Sequence, residues 1–313
     1  MGNRGLVTWA ATSVPEIRRQ WCAALDSVIT QHSEGLKPQT GPLAGTRRLA
    51  RMQTSLAETI AAMTAETEAL RAAQLYWVSR DMTTTVVEAA ATLPEWTPAL
   101  AAPAPAGLLC WARPAGMCRF SQAGGVSTEV TWDALWWFTR PDGVMQLTPS
   151  SRLTKNRELL DPYHVSSPLW SAKTVVLNPQ AIRTEESSGS PEAQQFVSIW
   201  GAAWLLMGQA SFTDTRTVPG TVSERSTTGG RAPRPPQTVT LIDLRRPVSS
   251  HEKSGGQSTE HAYDHRFWVG PHWRNQPCGP NNSQRRPRYI EAYIKGPDGA
   301  PLKTRDKVHV LRQ

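Results

Sequence analysis

One stretch narrows the choice of folds more than any other. Residues 190–207, SPEAQQFVSIWGAAWLLM, open with Ser190 in a capping position and Pro191 in the first helical turn. Phe196, Val197, Ile199, Trp200, Ala203, Trp204, Leu205, Leu206 and Met207 then cover nearly the whole circumference of the helix. A helix that is apolar all round has to be enclosed by other elements. The rest of the chain must supply those layers, and 313 residues are enough to do so. The expected fold class is α+β. It comprises a helical N-terminal region, a mainly antiparallel sheet with this one buried central helix, and a small basic C-terminal β module. The expected divisions are a helical hairpin region at 1–92, an α+β region at 93–212, a flexible linker or insertion at 213–238, and the basic module at 239–313.

Upstream, Ser13-Val14-Pro15-Glu16 has the form of a capping box, and Val14, Ile17, Trp21, Leu25 and Val28 continue one apolar face until Gly35. A second helical pattern has a spine of Leu49, Leu56, Met63, Leu70 and Trp77, with Met52 and Ile60 beside it. Thr59, Glu66 and Ala73 weaken the second seam of that heptad. The pattern therefore reads as a helical hairpin packed on its own protein, with a homodimer through residues 46–91 as the alternative. Residues 93–107, rich in Pro and Gly, end the helical region. GLLCWARP then reads as a strand, and residues 127–149 read as a hairpin turning at Arg140-Pro141-Asp142-Gly143. Trp132, Trp136, Trp137 and Phe138 in that hairpin are expected in the core, because contiguous exposed aromatics harm solubility. Residues 213–238 carry few apolar side chains, whereas VTLIDLRRP after them is strand-like.

Charge separates the C-terminal quarter from the rest. Residues 231–313 hold 15 basic and 7 acidic side chains, and the remaining residues hold 19 of each, so the whole net charge of +8 lies in that quarter. Clustered Lys and Arg release counterions from phosphates, which points to a polyanionic partner. The four cysteines show no paired metal-site or redox spacing, which suits a reducing cytoplasm. No apolar run is long enough for a membrane span, and the N-terminus lacks a signal-peptide core, so no membrane partner is expected.

The chemistry concentrates in HRFWVGPHWRNQPCGPNNSQRRPRYIEAYIK, residues 265–295. HRFWVG and RYIEAYIKG alternate as strands, and KVHVLR at 307–312 reads as a third. Arg266, Trp268, Tyr289, Tyr293, Lys295 and His309 are expected to share one surface. Trp273, Arg274 and the loop cations Arg285, Arg286 and Arg288 would add to it. Rings interleaved with cations suit single-stranded nucleic acid, because bases stack on the rings while the cations track phosphates. His265, His272 and Arg274 are the candidate catalytic residues of a metal-independent RNase, although no complete catalytic motif is present. A zinc site from His261, Asp264, His265 and His272 fits no ligand-spacing template, so no metal or other cofactor is expected.

The same run, with its His272-Trp273-Arg274 core, Arg285-Arg286 pair, Tyr289-Ile290 strand and Lys295-Gly296-Pro297, resembles the C-terminal module of uncharacterised actinobacterial and phage proteins. Those proteins have Arg-Gly where Gly270-Pro271 stands, Tyr in place of Cys278 and Trp in place of Tyr289. LPEWTPALAAPAPAGLLCWARP and AAWLLMGQ are similar to that group too, which extends the resemblance over residues 93–313. More distantly, the His-Trp-Arg module is similar to one in a type V anti-CRISPR family that lowers effector production through translation and messenger RNA. The resemblance implies work on RNA or the ribosome. The expectation is a cytoplasmic, phage- or mobile-element-associated protein that binds nucleic acid, RNA foremost, and modulates host or defence gene expression. A protein-interaction module that inhibits a host complex is the alternative, and a ribonuclease the weaker one.

Overall fold

A computed structural model describes residues 7–38, 45–121, 127–161, 165–184, 190–221, 237–245, 265–297 and 299–303. Two long helices come first, α1 (Val14–Glu34) and α2 (Arg47–Ala72). Then follow β1 (Gln74–Val78), α3 (Arg80–Ala90), a short α4 (Pro98–Ala101) and β2 (Ala106–Trp111). β3 (Met117–Ser121) pairs with β4 (Ser127–Thr131), and β5 (Ala134–Thr139) and β6 (Met145–Arg152) form the Trp-rich hairpin. After α5 (Arg157–Leu160), β7 (Leu169–Trp170) and β8 (Val175–Leu177) comes the apolar helix, α6 (Pro191–Met207). The strands β9 (Thr213–Pro219) and β10 (Thr238–Leu244) close the main sheet. The C-terminal part holds β11 (Arg266–Val269), β12 (His272–Cys278), β13 (Gln284–Ile290), β14 (Tyr293–Lys295) and β15 (Leu302–Lys303).

The main sheet runs β7-β6-β5-β2-β1-β10-β9, with β8 also pairing β6. β1 is parallel to both β2 and β10, and the other pairs are antiparallel. Helices cover both faces. Tyr76, Val78, Leu109, Trp111, Leu135 and Trp137 meet α3 and α6 on one side. Leu75, Leu108, Cys110, Trp136 and Phe138 meet Val14, Ile17, Trp21 and Leu70 of α1 and α2 on the other. Strands buried on both faces are apolar at consecutive positions, which is why LLCW and ALWWF lack a polar alternation. The structure is α+β, with an N-terminal helical region followed by mainly antiparallel sheet. Trp132, Trp136, Trp137 and Phe138 are all in the core, and the hairpin closes by Gly143 N–H donating to Arg140 O, with Gly143 at a positive φ of 82°. The α6 start is as read: the Ser190 hydroxyl accepts from Ala193 N–H at 3.2 Å.

Several sequence expectations are corrected. The heptad spine breaks at Ala72, and Trp77 belongs to β1, whose parallel neighbours supply the backbone partners that the helix would have provided. The Ser13 box does not form. A 3-10 turn at Ala11–Ser13 holds Ser13 in helical geometry, and Glu16 bonds Arg19 and Gln20 instead. Residues 213–219 are a strand, because each of them lies in register with 238–244 of β10. β10 itself is hydrogen-bonded to β1 within the main sheet and so is not part of a separate basic module. The expected strand at 307–312 and His309 lie outside the described residues. Among the described residues, no helix is long and apolar enough to cross a membrane.

Candidate nucleic-acid interface

The C-terminal segment makes two small sheets, separated by Gly270 and Pro271. The first has the order β14-β11-β15, and the second is the β12–β13 hairpin. The hairpin takes in the residues expected as loop cations, since Arg285, Arg286 and Arg288 all lie in β13. Only a tight turn at Pro280–Asn282 remains between the strands, entered through Gly279 at φ 74°, with Asn281 and Asn282 also left-handed. Pro277 and Pro287 are tolerated because each strand of a two-stranded ribbon is an edge.

In the hairpin, Trp273 lies opposite Tyr289, Arg274 opposite Arg288, and Gln276 opposite Arg286. Alternation then separates two faces. Trp273, Arg285, Pro287 and Tyr289 share one, and His272, Arg274, Arg286 and Arg288 share the other. The first face docks on the core. Tyr289 is buried edge-to-face against Phe212 and Trp273, and the Trp273 indole N–H donates to Ala89 O of α3 at 2.8 Å. Tyr289 N–H donates to the Gln209 side-chain carbonyl at 3.2 Å, just beyond the end of α6. Burial pushes the Tyr289 phenol above its ordinary value, with the Glu88 and Glu291 carboxylates adding to it. These two rings are therefore packing residues and not stacking platforms.

The second face carries the charge. Arg274 is exposed, whereas Arg286 and Arg288 are half-buried. Arg288 donates to Ser211 Oγ at 3.1 Å, and the Arg286 guanidinium lies against Gly208, the C-cap of α6. Cations at that end meet the negative pole of the helix. Arg285, near the turn, is exposed. Among the described residues none of these four arginines forms an ion pair. Arg274 and Arg288 nevertheless stand directly across the ladder from each other, a like-charge placement that destabilises a sheet.

In the three-stranded sheet, Trp268 pairs with Ile294, Phe267 with Lys295 and Val269 with Tyr293, while Arg266 lies opposite Leu302. Arg266 and Trp268 therefore share a face with Ile294 and Leu302, and Tyr293 and Lys295 point to the other side. The single surface expected for all of them does not exist, because Glu291 and Ala292 break the strand and send Tyr289 and Tyr293 into different sheets. Trp268 is 64% exposed, Ile294 47% and Leu302 44%, and Tyr293 is also exposed. The Arg266 guanidinium Nε–H donates to Ala300 O at 2.8 Å.

The catalytic candidates divide in the same way. His272 and Arg274 share a face of β12, and both are exposed, with the His272 ring Nδ1 3.0 Å from Gly270 O. His265 precedes β11 in the other sheet, where its ring lies 6.0 Å from that of Phe267. His261 and Asp264 lie outside the described residues. Among the described residues, no group of three His, Cys, Asp or Glu side chains could hold a metal.

A polar cluster that the sequence did not suggest lies at the far side of the main sheet. Asp133, only 1% exposed, accepts from Lys155 Nζ at 2.7 Å, from Arg152 N–H at 3.1 Å and from Thr131 Oγ1 at 3.1 Å. Asn156 Nδ2 donates to Ser151 Oγ at 2.8 Å beside it, and the Arg152 guanidinium rests 5.1 Å from the Trp9 ring centroid. Its cations, Arg152 at the end of β6 and Lys155 of the 3-10 turn that follows, are distant from Asp133 in sequence, so no local spacing reveals the cluster. No family model matches the chain, and no curated protein is significantly similar to it.

Proposed function

We propose that the protein binds single-stranded nucleic acid, RNA foremost, through the Arg274 face of the β12–β13 hairpin, with exposed rings of the neighbouring sheet as stacking platforms. The observation that carries this reading is the Arg274–Arg288 cross-strand pair, flanked by Arg286 and lacking any ion pair among the described residues. Like charges in register cost stability in the free protein, and a phosphate backbone is the partner that turns this cost into attraction. Trp268 and Tyr293, on opposite faces, supply ring surface on which bases can stack. A cytoplasmic, phage- or mobile-element-associated role in host or defence gene expression belongs to the same proposal and rests on the His-Trp-Arg resemblance.

Fluorescence anisotropy with labelled single-stranded RNA, duplex RNA and duplex DNA at stepped salt tests the reading. The residue to remove is Arg274, by Arg274→Ala, because it is the exposed arginine of that face, whereas Arg286 sits on the α6 C-cap and Arg288 is bonded to Ser211. Affinity for single-stranded RNA should fall, and the slope of log K against log salt should flatten by about 0.7 per lost phosphate contact. Unchanged binding by the folded variant refutes the assignment. Parallel gel analysis of the same RNA reports cleavage, which His272→Ala should abolish if that histidine moves the proton.

The exposed Trp268, Ile294 and Leu302 on one face favour a second reading, a protein partner anchored on that face. Capture of a host protein that survives nuclease treatment and is lost with Trp268→Ala supports it. Capture that nuclease abolishes returns the partner to RNA.

A further inference from the structure

Away from the β12–β13 hairpin, helix α2 and the β5–β6 turn line a half-open cavity of about 490 Å3. Its size lies within the range of small-molecule sites, and its composition matches theirs, an apolar wall with a few converging polar groups. Ala61, Ala62, Met63, Ala65, Phe138 and Pro141 form the wall. The polar groups are Glu66 from α2, Gln146 from β6, and Arg140 and Asp142 from the turn, with Thr59 at one end.

Glu66 is held from behind. Its Oε1 accepts from the indole N–H of the fully buried Trp136 at 3.1 Å, and the Gln146 side chain bonds the same carboxyl. A carboxylate offers about four lone-pair sites, so these two bonds fix its orientation and leave acceptor capacity. Arg140 is partly neutralised by Asp142, whose carboxylate lies 3.4 Å from the guanidinium. The lining thus carries two carboxylates against one guanidinium and is net negative, in a chain whose formal charge is +8.

We propose that this cavity binds a monocationic amine or amidine carried on a small apolar body. The cation pairs with Glu66, whose half-buried position makes such a pair stronger than one in water. The alanine and aromatic wall takes the apolar body. The net negative lining disfavours anions, and the single fixed carboxylate at the wall disfavours a wholly apolar ligand, which would bury it unpaired. The inference is independent of the nucleic-acid reading, since no residue of the β12–β13 hairpin takes part. Burial pushes the Glu66 carboxyl above the usual range, opposed by its bonds to Trp136 and Gln146 and by the Arg140 charge. With Arg140 and Asp142 of the turn as the other charged groups facing it, cation binding should weaken as pH falls through that raised value.

Calorimetric titration of the full chain with benzamidine and with its uncharged isostere benzamide tests the proposal. Benzamidine should bind at millimolar concentration or below, and about 10- to 100-fold more tightly than benzamide. Glu66→Gln keeps an acceptor for Trp136 and should erase that preference. Ala62→Phe, on an exposed part of α2 where the fold tolerates bulk, should block both ligands. No benzamidine binding overturns the proposal, as does equal binding of the two ligands. Wild-type binding by Glu66→Gln overturns the role of the carboxylate, and wild-type binding by Ala62→Phe overturns the location.

Discussion

Replacing Arg274 by Gln should stabilise the protein and weaken its hold on RNA, the trade-off expected where a binding residue is held at a cost to the fold. Arg274 and Arg288 are directly opposed on the hairpin, with Arg286 two residues along the same face. Directly opposed residues stand about 5 Å apart at the backbone, and two unit charges at that distance in water repel by about 0.8 kcal/mol, the ceiling for guanidinium groups on long side chains. Screening at physiological salt reduces this, so the expected gain is about 0.5 kcal/mol, within the range for cross-strand pairs. Arg274 is the member to change because it is exposed, whereas Arg288 is also bonded to Ser211 and its loss would mix two effects.

Denaturant melts at low and high salt isolate the electrostatic part. The variant should be more stable at low salt, and the difference should vanish when salt screens the pair. On RNA the same substitution should lower affinity and reduce the salt slope by about 0.7. Arg51→Gln, an exposed change on α2, serves as the control and should move neither quantity. A variant less stable at low salt, or one whose RNA slope matches the wild type, refutes the claim that the opposed arginines are kept for a polyanion.

Other perturbations test the frame around the two sites. Gly201→Ala places a Cβ 2.4 Å from Cε2 of the buried Trp96, and overpacking should outweigh the better helix propensity of Ala. Denaturation should show a net loss of about 1–2 kcal/mol, and a gain would mean that the α6 contact is loose. Asp133→Asn leaves Lys155 and Arg152 without their shared carboxylate. Both cations keep 30% of their side-chain exposure, so the expected loss, about 2–3 kcal/mol by denaturant melt, sits below that of a fully buried pair. For Glu66, burial raises the folded-state value above the ordinary 4.5, so the folded chain takes up the proton more readily than the unfolded one. The penalty for its charge is full above the raised value and fades as pH falls towards 4.5. Wild type should therefore gain stability relative to Glu66→Gln across that window, and a flat or opposite trend would contradict the burial.

What the sequence reveals follows from the kind of signal each element leaves. Helix α6 announces itself because an apolar circumference behind Ser190 and Pro191 has one physical solution. The β5–β6 hairpin is legible from its turn chemistry. Strand β1 is not, because a strand covered on both faces has no period of two, and Trp77 happens to fall seven residues after Leu70. Strand β9 is hidden for the opposite reason. Its residues Thr213–Pro219 have the polar composition of a loop, and only β10 alongside makes them a strand. In the C-terminal block, alternation correctly sorts side chains into two faces, but it carries no information about which face meets the core. Tyr289 and Trp273 look like stacking rings in the sequence, yet Phe212, Gln209 and Ala89, all distant in the chain, claim them.

That anchoring bounds how strongly the basic quarter can grip a polyanion. Arg286 and Arg288 reach the C-terminal end of α6, and Arg245 donates to Ala210 O near the same end. Part of the positive excess thus lies at the C-terminal end of α6 and on the residues that follow it, where cations are favourable without any ligand. Among the described residues of the two C-terminal sheets, the exposed cations are Arg274, Arg285, Lys295 and Lys303. If each neutralises one phosphate of a single strand, the salt slope they support is about −3. A slope near that value is consistent with contacts confined to these residues. A markedly steeper one assigns further phosphate contacts to cations beyond them, and truncation after Lys303 tells whether Arg305, Lys307 and Arg312 supply those contacts.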